Sequence, residues 1–175
     1  MTGLYDISIA TKLLLGARLR KYELNPYDYL LHNMNVKLRT LNPQSKEFEM
    51  LLLYANNGLS KNAHNCCVTN IFAVNPDAKR EYQSKDAAKR QENIFSKVHN
   101  HFLLWHGTGP QNILSIMERG LQIQPTNAAL TGNLFGDGIY FADSLEKSIH
   151  YAPFQNGYNY ILLCEVALGN VLNVG

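Results

Sequence analysis

Charge is scarce in this 175-residue chain: Asp, Glu, Lys and Arg together make up 17 %, against roughly 25 % in an ordinary globular domain. With hydrophobic residues at 46 %, that shortage excludes the charge-rich, apolar-poor composition of intrinsic disorder. Neither sign dominates. A count of 16 basic against 14 acidic side chains leaves a formal charge of +2, and a field that weak gives no ground for reading nucleic-acid or membrane binding. No run approaches the ~18 apolar residues that a membrane span requires. Met1 to Asp6 also lacks the basic-then-apolar opening of a secretory signal, so a soluble, intracellular chain is expected. Cysteine is sparse as well, with only Cys66, Cys67 and Cys164. An odd number with two adjacent residues argues against a disulfide framework and for a reducing compartment. His64 with Cys66-Cys67, and His99-x-His101, lack the paired CxxC or HxxxH spacing of a zinc site. No metal is expected, and His99 and His101 should share one face at the start of a strand. Internal repeats and low-complexity segments are missing too.

What is present fits one domain, long enough to bury about 70 % of its unfolded surface. Leu4, Ile7, Ala10, Leu13 and Leu14 stand at helical spacing ahead of Gly16, which predicts a helix over the first fifteen residues. Residues 17 to 32 are mixed and polar, broken at Asn25-Pro26, and read as a connector. Alternation of Val36 and Leu38 with Lys37 and Arg39 predicts a strand from Asn35 to Leu41. Asn42-Pro43 offers a cap and a first-turn proline to a helix carrying Phe48, Leu51, Leu52 and Ala55 and stopping at Gly58. Val68 to Val74 reads as a strand and Ser84 to Gln91 as a short polar helix. Phe102 to Trp105 predicts a buried strand, and Pro110 opens a helix with Ile113, Ile116 and Met117 on one face that Gly120 closes. Gly138 to Phe141 predicts another strand, followed by Asp143-x-x-Glu146 with the spacing of a capping box for a helix through Tyr151. Tyr160 to Leu168 is the longest strand candidate. Strands interleaved with short helices indicate an α+β fold.

Two constellations carry candidate chemistry. His106-Gly107-Thr108 follows an apolar strand and gathers a ring nitrogen, a bare backbone and a hydroxyl at one strand end. By itself that tripeptide is a weak signal and reads first as a tight turn with a satisfied histidine. The second is the stretch from Gly132 to Tyr151, whose glycines run G-x-x-x-G-x-G, a spacing that belongs neither to a dinucleotide fingerprint nor to a Walker loop. Its glycines suit backbone lying close to a ligand. Tyr140 and Tyr151, with the Ser148 hydroxyl, have the chemistry to sandwich a flat heteroaromatic amide and read its carboxamide; core tyrosines and a capping serine are the other reading.

Taken in order, Leu104-Trp105-His106-Gly107-Thr108, Thr131-Gly132, Phe135-Gly136-Asp137-Gly138-Ile139-Tyr140-Phe141-Ala142-Asp143, Lys147-Ser148, Tyr151 and Glu165-Val166-Ala167-Leu168-Gly169-Asn170 closely resemble the catalytic domain of poly(ADP-ribose) polymerases. Upstream, Leu4 to Leu15 resembles the last helix of that family's helical regulatory domain, and Leu41 to Asn57 its first core helix. The resemblance implies three parts: residues 1–16 as the end of the regulatory domain, 17–34 as a connector, and 35–175 as catalytic domain. It implies an ADP-ribosyltransferase fold, a split antiparallel sheet with NAD bound as substrate in its cleft, and no metal.

By the same resemblance, His106 and Tyr140 are the catalytic candidates, and the NAD-binding set is His106, Gly107, Thr108, Gly138, Tyr140, Ala142, Lys147, Ser148 and Tyr151. His106 would hydrogen-bond the adenosine ribose and the Gly107 backbone would hold the nicotinamide amide. Ser148 would bind the same amide, Tyr151 would stack on the ring and Tyr140 would wall the site. Thr108 would keep a ribose contact, and Lys147 would sit beside the cleft. The implied activity is NAD-dependent transfer of ADP-ribose to acceptor proteins. Implied too are a nuclear location and DNA recognition through modules outside this chain. The family's ribose-binding glutamate is expected beyond Gly175, so that this chain reads as the catalytic domain incomplete at its C-terminus. Glu165 matches a different, strand-borne glutamate. A catalytically silent NAD- or ADP-ribose-binding module, or a fragment that does not fold alone, is the alternative. Gln122 and Asn133 depart from the family pattern, which has a basic residue and a tyrosine there.

Overall fold

Asparagine and serine caps decide where the first two helices begin. In the computed structural model, which describes residues 25–60, 66–75, 97–123 and 136–173, helix α1 spans Pro26–Asn33. The Asn25 side chain accepts a hydrogen bond from the Tyr27 amide at 2.9 Å, and Pro26 occupies the first turn. The expected break at Asn25-Pro26 is therefore a helix start. Capping by asparagine and a pre-set proline φ outweighed the polar composition that had read as a connector. At the other end Asn35 takes a left-handed φ of 52°, and the Val36 amide reaches back to the Leu31 carbonyl at 2.8 Å.

That left-handed residue also shortens the next element. The strand expected from Asn35 is confined to β1, Leu38–Thr40, which pairs with β2, Phe72–Val74. Bonds from Leu41 to Ile71 at one end and from Asn75 to Lys37 at the other fix an antiparallel register. Helix α2, Lys46–Asn57, is capped by Ser45, whose Oγ accepts from the Phe48 amide at 3.2 Å. Asn42 makes a turn instead, its Oδ1 accepting from the Gln44 amide at 3.0 Å. Gly58 ends the helix as expected.

Strand β3, His101–Gly107, leads into helix α3, Pro110–Arg119, and Gly120 stops it with a φ of 78°. Helix α4 covers only Leu145–Ile149. Strand β4, Ile161–Ala167, pairs with β3 antiparallel from His101↔Ala167 to Gly107↔Ile161. Glu165 of β4 carries its Oε1 to 2.9 Å from Nδ1 of His101; His101 opens β3, while His99 lies before the strand. Residues Gly138 to Phe141 form no strand. Ahead of Asp143 the segment touches the sheet at one residue, Ala142, through a pair of bonds with Trp105 of 2.8 and 2.9 Å. The helices expected over the first fifteen residues and over Ser84 to Gln91 lie outside the described residues. Helices with two small antiparallel sheets make the fold α+β, as the alternation of short elements predicted.

The described residues divide into two units. In the one containing residues 25–39, 72–75, 111–123 and 136–140, Leu30, Met34 and Val36 are buried, and Leu31, Leu114 and Met117 pack on them. The α1 and α3 faces meet there through residues three or four apart. In the other, containing 40–60, 66–71, 97–110 and 141–173, Ala55, Trp105 and Leu145 form the core, joined by Tyr54, Leu59, Val68, Ile149, Ile161 and Leu163. The Trp105 ring stacks on Tyr54 with centroids 5.5 Å apart, and the Tyr54 hydroxyl donates to the Leu103 carbonyl. Recruitment of Val68 into this core explains why β2 starts four residues later than its apolar run suggested.

Candidate active site

Strand β3 delivers His106 and Gly107 at its C-terminal end, and α4 comes up against them. A Cβ on Gly107 would lie 1.9 Å from the Ser148 carbonyl oxygen, 2.8 Å from its carbon and 3.1 Å from Cβ of Tyr151. Only a bare α-carbon permits that approach. The glycine's open face, expected to admit a ligand, is thus filled by the backbone of α4. The result is that Gly107, Ser148 and Tyr151 stand in direct contact.

Within α4 the pattern of burial assigns the roles. Leu145 and Ser148, three residues apart, face inward and are buried, while Lys147 between them is exposed. Ser148 is the one buried polar residue among the described residues. Its carbonyl accepts from the Tyr151 amide at 3.1 Å and from the His150 amide, which turns the chain so that the Tyr151 ring emerges 53 % exposed. An amphipathic ring in that position has a face free for stacking. His106 is half-buried, its ring 5.8 Å from that of Phe141 and tilted by 60°. Thr108, also half-buried, follows directly.

Ala142 is buried and spends both backbone groups on Trp105. Gly138 and Tyr140 belong to the other unit. There the Tyr140 hydroxyl donates to the Gly136 carbonyl at 2.6 Å, an approach that uses the left-handed φ of 81° at Gly136.

The expected Asp143-x-x-Glu146 capping box does not form. Ser144 is the residue before α4, without a side-chain cap bond, and its hydroxyl donates to the Gly58 carbonyl at 3.0 Å. The Glu146 carboxylate accepts from Ser60 instead. Beside α4 lies an open cavity of about 470 Å³ lined by Ser144, Glu146, Lys147, His150 and Tyr151. Lys147 and Tyr151 were expected in the site; Ser144, Glu146 and His150 were not, although Ser144 and His150 each stand one helix turn from Lys147 and Glu146 adjoins it. Among the described residues no group of three or more histidine, cysteine or acidic side chains could hold a metal, and no helix is long and apolar enough to cross a membrane.

Cys164 of β4 lies opposite Leu104 of β3. Burial pushes its thiol up from 9.0 to about 11, because a thiolate loses its hydration there. Cys66 and Cys67 are exposed. Iodoacetamide at neutral pH should therefore modify Cys66 and Cys67 in the folded protein and reach Cys164 only after denaturation, as peptide mass mapping would show. The same shift makes folding less favourable between about pH 9 and 11, where the unfolded thiol has lost its proton and the folded one has kept it.

Residues 45–174 match the model of the poly(ADP-ribose) polymerase catalytic domain family. Over 167 residues the chain is 37 % identical to the poly(ADP-ribose) polymerase tankyrase of Caenorhabditis elegans, covering 95 % of this chain and 7 % of that protein. Over 173 residues it is 34 % identical to poly(ADP-ribose) polymerase 2 of Homo sapiens, covering 97 % and 27 %. With poly(ADP-ribose) polymerase 1 of Gallus gallus the identity is 33 % over 175 residues, covering 98 % and 16 %. The chain thus spans only a fraction of the length of these relatives. It belongs to the poly(ADP-ribose) polymerase catalytic domain family.

Proposed function

We propose that the chain is the nicotinamide-gripping part of an ADP-ribosyltransferase, which cleaves the glycosidic bond between nicotinamide and ribose in NAD and transfers ADP-ribose to an acceptor protein. Family membership supports the class of reaction. The observation that carries the site is the contact of Gly107 with Ser148 and Tyr151, three residues from two segments whose backbone, hydroxyl and ring suit a planar amide.

In this reading the exposed Tyr151 ring stacks on nicotinamide, while the Gly107 backbone and the Ser148 hydroxyl bind its carboxamide. Held there, the leaving group departs with the electron pair of the C–N bond, and the ribose acquires oxocarbenium character until the acceptor's nucleophile adds and loses its proton. His106, adjoining Gly107, holds the adenosine ribose. Thr108 adds a ribose contact. Lys147 flanks it from the exposed side of α4. A nuclear location and DNA recognition by other modules go with the same family reading.

The test is a thermal shift. NAD, and benzamide as a mimic of nicotinamide, should each raise the melting temperature. Tyr151→Ala should remove the benzamide shift, since stacking contributes about 0.5–1.5 kcal/mol beyond area burial and most of a small ring's contact is lost with it. Labelled NAD then separates transfer from binding: label on protein that disappears in His106→Ala supports the transferase, and a shift without label supports a silent binding module. An unmutated chain that melts at the same temperature with and without both ligands would overturn the reading.

A further inference from the structure

A five-residue helix has no stability of its own, so the orientation of α4 is set by what holds its ends. Gly107 packs against the C-terminal end. At the N-terminal end four hydrogen bonds come from one distant stretch, Gly58 to Ser60. The Ser60 amide donates to Glu146 Oε2 and the Ser60 hydroxyl to Glu146 Oε1, both at 3.0 Å. In the opposite sense, the Ser144 hydroxyl and the Glu146 amide both donate to the Gly58 carbonyl, again at 3.0 Å. A Cβ on Gly58 would sit 2.8 Å from the Leu145 nitrogen, so the two backbones are in contact.

We propose that Glu146 and Ser60 form a latch that positions α4, and that through it they set how well Ser148 and Tyr151 receive the nicotinamide amide. The inference rests on the ligand reading given above. Glu146 is a positioning residue: its carboxylate is held two residues before Ser148 and five before Tyr151, on the helix that carries the first and leads into the second. Two donors from one residue onto both carboxylate oxygens fix direction as well as distance. Removing them leaves α4 with its Leu145 anchor, its two bonds to the Gly58 carbonyl and its Gly107 contact, enough to keep the helix in place but with its direction less firmly fixed.

Benzamide affinity, read by thermal shift on the whole chain, tests the latch. Glu146→Ala should weaken benzamide binding about tenfold, the size of one or two lost charge-assisted bonds. Ser60→Ala, which keeps the amide donor, should weaken it about threefold. Ser60→Thr keeps both donors and should restore the unmutated affinity, a rescue that a role in bulk stability alone would not produce. Emission from Trp105, the single tryptophan, reports whether each variant keeps its core. If Glu146→Ala loses the core, the Ser60→Ala and Ser60→Thr pair decides. Unchanged benzamide affinity in folded Glu146→Ala or in Ser60→Ala overturns the latch alone. Absence of any benzamide shift in the unmutated chain overturns the ligand reading and the latch with it.

Discussion

Trp105→Ala should destabilise the unit that carries His106 and Ser148 by about 3–5 kcal/mol, a large part of the 5–15 kcal/mol that holds a typical domain folded. The side chain lies among Ala55 and Leu145 and stacks on Tyr54, so truncation removes contacts with α2 and α4 together. Trp105→Phe should behave differently. The indole Nε1 is buried without a hydrogen-bond partner, a state that costs about 1–3 kcal/mol. Phenylalanine gives up some contact area but removes that orphaned donor, and should cost less than half of what alanine does. Urea unfolding followed by circular dichroism measures both. Equal losses for the two variants would show that the indole nitrogen is satisfied and that its burial carries no penalty.

The local instructions were legible because they act over a few residues. Gly58 and Gly120 end helices where a glycine after an apolar periodic run says they should, and Pro110 opens α3. Phe102 to Trp105 reads as strand from its apolar run ahead of His106-Gly107, but the expected burial holds only at Trp105, with Phe102 and Leu103 exposed. The errors came where two local signals competed. Asn25-Pro26 and Asn42-Pro43 are the same dipeptide, yet the first caps a helix and the second makes a turn ahead of Ser45. What separates them is where the next apolar face must land, and that is a tertiary matter. Asp143-x-x-Glu146 has capping-box spacing, but 86 residues away in sequence Ser60 offers Glu146 two donors. No window along the chain contains that competitor. Among the expected site residues, the proximity of Ser148 and Tyr151 to each other follows from helix spacing. Their contact with Gly107 depends on how β3 and α4 pack, which spacing cannot specify.

Gly107→Ala should lower the melting temperature by about 5–10 °C and abolish the benzamide shift. Ordinary overpacking costs about 1–3 kcal/mol because side chains rotate away from the added methyl; here the atom met at 1.9 Å is the Ser148 carbonyl oxygen. Backbone cannot rotate away, so β3 and α4 must separate, at about 2–4 °C per kcal/mol for a chain of this length. Separation moves Ser148 and Tyr151 away from the Gly107 amide together, which is why ligand binding should fail more completely than stability does. Gly138→Ala is the control for the stability half of the experiment, since a Cβ there meets nothing within 4 Å and should leave the melting temperature within about 1–2 °C, the reach of a surface substitution. A Gly107→Ala variant that melts with the unmutated chain and still binds benzamide would mean that β3 and α4 do not need their close approach, and the amide-gripping site would have to be sought elsewhere on the molecule.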